Sequence, residues 1–233
     1  MPRFDIVKEV KAGNTFRVNN VVNNFDLDIH HINEHFTGNI DIEGREWNVG
    51  LIVGGSGTGK STIAKECFPA DYIDGYTYTA QSVIDDMPKD KSIKEIEKVF
   101  TSVGFASPPS WLKPYEVLSN GEKMRVNLAR AILDERETVV FDEFTSVVNR
   151  EVAKTASYAI SKAVRRLGKR FVAVACHRDI VEWLEPDWIY DTDERRFFMF
   201  GESTTAPKSN WKYIGLTTQL KAKFGKCLGS TII

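Results

Sequence analysis

Hydrophobic residues recur along this chain with two distinct periods. From Ser92, the apolar positions Ile93, Ile96, Val99, Phe100 and Val103 keep three- and four-residue steps until Gly104, which predicts an amphipathic helix and its stop. A longer stripe of Val152, Ala156, Ile160, Ala163, Val164 and Leu167 predicts a second helix, closed by Gly168. A third opens at residues 118–122 and carries Met124, Leu128, Ala131 and Ile132 on one face. Between these stretches, residues 50–53, 138–141 and 171–176 are short continuous apolar runs, as expected of strands covered on both faces. Residues 62–67 continue a helix that Pro69 stops, and the aromatic stretch 72–78 predicts a further strand. Pro108, Pro109 and Pro114 mark a rigid loop, so residues 82–117 form a small helical insert. Residues 15–22 and 25–29 look β-like among polar turns, which predicts an N-terminal antiparallel β subdomain over residues 1–48. Strands alternating with helices imply an α/β fold with a mostly parallel central sheet. Ligands of such sheets sit beyond the carboxyl ends of the strands, and Gly54, Asp142, Glu143 and His177 each follow an apolar run.

Composition adds bounds. With 233 residues, 42% of them hydrophobic, the chain can bury one sizeable core, so residues 1–200 are expected to form one domain and residues 201–233 a basic tail. No apolar run approaches the roughly 18 residues of a membrane span, and the first residues lack a signal-peptide core, so a cytoplasmic protein without membrane insertion is expected. Cys67, Cys176 and Cys227 form no C-x-x-C pair, which favours reduced thiols over a zinc site. The net charge of −1 hides an asymmetry: residues 195–233 hold seven Lys/Arg against one acid, Glu202. Trp211, Tyr213 and Phe224 lie in the same stretch, which makes nucleic acid or an acidic protein face a candidate partner, while a solvated amphipathic tail packed on its own domain is the plainer and favoured reading.

The chemistry concentrates at two points. Gly54-Gly55-Ser56-Gly57-Thr58-Gly59-Lys60-Ser61 matches G-x-x-x-x-G-K-[ST] directly after an apolar strand. Glycines let successive backbone N–H groups turn inward around phosphates, and the helix opening at Lys60 adds its positive end. Lys60 is expected to reach the β- and γ-phosphates of a nucleoside triphosphate, Ser61 to ligate Mg2+, and Thr62 to add a donor in the first turn. The second point is Asp142-Glu143 at the end of a strand. Successive residues there diverge, so Asp142 can hold the metal while Glu143 serves as base toward the attacking water.

The order of motifs, with the P-loop followed by Gln81, Leu118-Ser119-Asn120-Gly121-Glu122, Val139-Val140-Phe141-Asp142-Glu143 and His177, resembles the ATP-binding-cassette (ABC) ATPase family over roughly residues 15–200. The resemblance implies a P-loop NTPase of ABC type working as an ATP-dependent homodimer, in which Ser119 and Gly121 of one copy complete the ATP site of the other. It further implies that Gln81 senses the metal and the water, that His177 stands at the γ-phosphate, and that Phe25 stacks on adenine, with Phe16 as the competing aromatic. Departures from the family pattern are Asn120, Glu122, Phe144 and Asn149. A carboxylate at Glu122 would repel phosphate oxygens, so it is expected to point back into the cap of its own helix.

Ser119-Asn120-Gly121-Glu122-Lys123 looks like the form found in chromosome-organising and break-repair ATPases, whereas Asp142-Glu143-Phe144-Thr145-Ser146 looks closer to transporter cassettes. A closer resemblance, carried by residues 107–115, 142–148 and 183–188, is to bacterial and phage ABC-type ATPases that occur alone or joined to an acetyltransferase-like domain. These likenesses imply DNA-linked processing with a separate acetyltransferase or DNA-processing partner; a transporter subunit and an ATP-dependent switch with little turnover are the alternatives.

Overall fold

In the computed structural model, residues 3–9, 13–26 and 33–200 are described. Six strands form the central sheet in the order β4 (Tyr72–Ile73), β5 (Thr138–Phe141), β6 (Arg170–Ala175), β3 (Val49–Val53), β7 (Trp188–Asp191) and β8 (Arg196–Met199). Pairings from β4 through β7 are parallel, and only the β7–β8 hairpin is antiparallel. A separate two-stranded antiparallel sheet pairs β1 (Arg3–Glu9) with β2 (Asn33–Asn39). The fold is therefore α/β with a mostly parallel sheet, as the alternation of periods predicts.

Side-chain alternation on β3 explains the layers. Val49, Leu51 and Val53 face one core with Phe171, Ala173 and Ala175 of β6, covered by α3 (Ile93–Ser102), α5 (Asn120–Leu133) and α6 (Arg150–Leu167). Ile52 faces the other core with Val172, Val174, Trp188 and Tyr190, covered by α2 (Lys60–Cys67) and by Phe4, Ile40 and Trp47 of the N-terminal region. The sheet is buried on both sides, so its strands read as unbroken apolar runs.

Three local expectations are corrected. Residues 16–25 form a helix, α1 (Phe16–Phe25), rather than the β-like stretch, because the Thr15 hydroxyl accepts from the Val18 N–H and starts a helical turn. The remainder of the 25–29 stretch lies outside the described residues beyond Asp26. Only Tyr72–Ile73 of the aromatic stretch 72–78 is strand. Beyond it, Tyr78 stacks on Tyr115 with ring centroids 3.9 Å apart, and the Arg130 guanidinium lies over Tyr76 and Tyr78, so side chains rather than a ladder hold the segment. Pro108 and Pro109 open a short helix, α4 (Pro108–Trp111), at the first-turn positions where a missing N–H costs nothing. The helix α7 (Ile180–Leu184) and the strands β7 and β8 were not anticipated.

Candidate functional site

Because β3, β5, β6 and β7 run parallel, their carboxyl ends share one edge. The segments leaving that edge carry Gly54, Asp142, His177 and Asp193 respectively. Sequence separations of more than a hundred residues thus collapse into one site.

The P-loop occupies the turn between β3 and α2. Gly57 and Gly59 have φ of 80°, a conformation that L side chains resist, and Gly59 is the N-cap of α2. Gly54 is required for a different reason: a Cβ there would stand 2.0 Å from Thr192 Oγ1. The Thr58 and Thr192 hydroxyls are hydrogen-bonded at 2.6 Å, and Thr58 also donates to the Gly55 carbonyl at 2.9 Å. Lys60 Nζ curls back to donate to the same Gly55 carbonyl at 2.6 Å, over the concavity the loop forms. The Phe36 ring of β2 lies against the Cα of Gly59, so an aromatic face adjoins the start of α2. Phe25 and Phe16 stand exposed on α1, at 71% and 83%.

Asp142 is held from two sides. Its Oδ1 accepts the Glu143 N–H at 2.8 Å, and its Oδ2 accepts the Tyr72 hydroxyl. Burial, reinforced by the Asp142 carboxylate, pushes Tyr72 ionisation well above the usual phenol range, so the hydroxyl stays a donor. Glu143 is exposed with φ of 51°, and Thr145 has φ of 69°. Left-handed backbone at a non-glycine residue costs roughly 1–3 kcal/mol, and for a β-branched threonine it is an outlier; such strain clusters at working sites. The turn is held by Phe144, buried against Phe141 and Phe171, whose N–H donates to the Val174 carbonyl at 2.9 Å. Phe144 is thus the packing anchor of this turn.

Gln81 and His177 are exposed, the latter just past β6. Arg178, next to His177, pairs with Asp191 and Asp193. Both Asp193 oxygens lie 3.1 Å from the Gly55 N–H, which roofs the P-loop with a carboxylate. Desolvation works to raise the Asp193 pKa, but the Gly55 N–H, Arg178 and Lys60 together hold it below the usual carboxylate range. Tyr72, Thr192, Asp193 and Arg178 were not singled out in the sequence; no local motif marks them.

Ser119 caps α5. Its hydroxyl accepts from the Glu122 N–H at 3.3 Å, and Glu122 reaches back to the Ser119 N–H at 3.0 Å, a complete capping box. Glu122 also accepts from Ser110 of α4 at 2.8 Å. The carboxylate does point into its own cap, as electrostatics predicted. Hydrogen bonds from the Ser119 backbone, then from Ser110 and the Ser119 hydroxyl, hold its pKa below the usual range. Asn149 likewise has a local task as N-cap of α6, accepting from Val152 at 2.9 Å. Gly121 packs near Val152 and Arg125.

The donor set fits a magnesium nucleotide. Ser61 and Asp142 offer hard oxygen ligands, and a glycine loop, a lysine and a helix N-terminus face the phosphate position.

A parallel sheet with a P-loop on an inner strand, a carboxylate pair two strands away and an antiparallel β layer over one face has the fold of an ATP-binding cassette. Solved structures agree. A dimeric bacterial ABC transporter cassette, MJ0796, superposes with a TM-score of 0.54 at 15% identity, covering 69% of this chain and 88% of that one. The same cassette in a post-hydrolysis dimer with ADP and Pi gives 0.56 at 15% identity, covering 85% and 98%. The cbiO1 protein of Clostridium perfringens, part of the transporter complex cbiONQ, gives 0.53 at 18%, covering 83% and 88%. No family model matches the chain.

Proposed function

We propose that this chain binds ATP with Mg2+ at the carboxyl edge of its sheet, hydrolyses it, and closes and opens as a homodimer through the cycle. The observation that carries the reading is the convergence of Lys60, Ser61, Asp142, Glu143 and His177 on one edge, with Asp142 held by Tyr72. The P-loop amides from Gly55 to Thr62 bind phosphate oxygens, and Lys60 leaves the Gly55 carbonyl for them. Ser61, Asp142 and Gln81 would hold Mg2+, which would neutralise phosphate charge. Glu143 accepts a proton from the attacking water, and His177 orients the γ-phosphate. An aromatic, Phe25 or Phe16 of α1 or Phe36 of β2, stacks on the adenine. Ser119 and Gly121 complete the site of the second copy.

Steady-state ATP hydrolysis tests this. Activity is expected from the wild type, with loss of at least 100-fold in Glu143→Gln and loss of nucleotide binding in Lys60→Ala. A wild type that neither binds nor hydrolyses ATP overturns the reading.

The cycle is proposed to act in the cytoplasm on a DNA-processing assembly, with a separate acetyltransferase or DNA-processing protein as partner. The Ser119–Lys123 sequence and the basic tail support this; the tail lies outside the described residues. The second reading is a transporter subunit, favoured by the solved structures named above, which are transporter cassettes. Among the described residues no helix is long and apolar enough to cross a membrane. Salt-sensitive DNA binding, lost when Lys221, Lys223 and Lys226 are neutralised, supports the first; its absence at low salt with and without ATP excludes direct DNA contact.

A further inference from the structure

One side chain fixes a carboxylate assigned to the cation. The Tyr72 hydroxyl donates to Asp142 Oδ2, while Asp142 Oδ1 takes the Glu143 N–H. Both oxygens of Asp142 therefore have fixed donors, and the carboxylate cannot rotate without breaking one of them.

The fold builds this arrangement. Strand β4 is only two residues long and pairs in register with β5, Tyr72 opposite Val140 and Ile73 opposite Phe141. That register sets Tyr72 beside the strand that ends at Asp142. The Tyr72 N–H donates to the Phe68 carbonyl at 3.0 Å, tying the residue to the end of α2. Its ring packs on the core that covers this face of the sheet and lies 4.7 Å from Lys65 Nζ, which is itself paired with Asp74 at 3.0 Å. A phenylalanine would fill the same space, so packing alone does not call for the hydroxyl.

The chemistry of the donor matters. A neutral hydroxyl orients Asp142 without cancelling the negative charge that attracts a cation, whereas an ammonium in that place would compete with the metal. We propose that Tyr72 is a positioning residue of the divalent-cation site, acting through Asp142 to hold its carboxylate in the orientation that receives the cation. The inference rests on the nucleotide reading above.

The test uses the full chain, with Mn2+ as the cation probe, its free concentration read by electron paramagnetic resonance in the presence of ATP. Removing an outer-shell partner lowers metal affinity about 10-fold or more, so Tyr72→Phe is expected to weaken Mn2+ binding by about that factor. ATP affinity in EDTA, read with a fluorescent nucleotide analogue, stays within about twofold, since the hydroxyl's hydrogen bond goes to Asp142 rather than to a P-loop N–H. Tyr72→Met, a second side chain without a hydroxyl, is expected to show the same pattern and guards against a packing artefact in either variant. Unchanged Mn2+ affinity in folded Tyr72→Phe overturns the proposal, as does an equal loss of ATP affinity in EDTA, which would mean a structural role only. A wild type that binds ATP neither with Mg2+ nor in EDTA fails the nucleotide reading itself and takes this proposal with it.

Discussion

Gly54→Ala tests whether the P-loop is held in place by the β7–β8 turn. Gly54 does not use left-handed backbone, so an alanine costs nothing in conformation and the effect is steric. Its Cβ would stand 2.0 Å from Thr192 Oγ1 and 3.0 Å from Thr58 Oγ1. Ordinary contact begins near 3.5 Å, so loop and turn must separate by about 1.5 Å. Thr192 cannot yield cheaply: its N–H donates to the Val53 carbonyl at 2.8 Å, and its hydroxyl is bonded to Thr58 at 2.6 Å. Overpacking of this kind costs roughly 1–3 kcal/mol, and a 1 Å misplacement of a binding group costs on the order of 100-fold in rate. Gly54→Ala is therefore expected to lower denaturant-derived stability by about 2 kcal/mol and ATP turnover by about 100-fold. Thr192→Ala removes the clashing oxygen, so the double variant should recover part of both losses, with a coupling energy of at least about 1 kcal/mol. Urea unfolding and steady-state hydrolysis on the four proteins of this cycle give both numbers. Single-variant stability within about 0.5 kcal/mol of wild type, or a double variant no better than Gly54→Ala, refutes the argument.

Glu122→Ala removes half of the α5 capping box and is expected to cost about 1 kcal/mol at pH 7, measured by urea midpoint. Because the Glu122 pKa is depressed in the fold, its contribution is present above the usual glutamate range and is lost as pH falls through the folded pKa. The gap between wild type and Glu122→Ala should therefore narrow below about pH 4.5. Burial, with a smaller contribution from Glu66, pushes the Cys67 thiol up to about 12, so at pH 8 its thiolate fraction is on the order of 10⁻⁴. A thiol reagent at pH 8 should modify half-buried Cys67 far more slowly in the native protein than after unfolding, as peptide mapping of labelled protein would show; equal labelling rates in the two states contradict the raised pKa.

Much of this site was legible because its motifs are local. The P-loop, Asp142-Glu143 and the Ser119 cap each combine neighbouring residues whose spacing states their task. Glu122 could even be assigned to its cap from charge alone, since a carboxylate facing phosphate is unfavourable. The links between motifs were not legible. Tyr72 meets Asp142, and Asp193 meets Gly55, only because parallel crossovers bring distant strand ends together. The α1 segment misled because Val18, Val21 and Val22 favour strands and its asparagines are poor helix formers. The Thr15 cap, together with Val18, Val21, Val22 and Phe25 at helical spacing, was the signal that could have found it. β7 was hidden by Trp188 and Tyr190, aromatic residues interleaved with a buried Asp191 that takes Arg178.

The most direct test of the account is the light-scattering mass of Glu143→Gln with and without Mg2+-ATP, since removing the base should trap the closed state. The account predicts a monomer without nucleotide and a doubled mass with Mg2+-ATP that is lost on adding Ser119→Arg. A mass that stays monomeric at saturating Mg2+-ATP would contradict it.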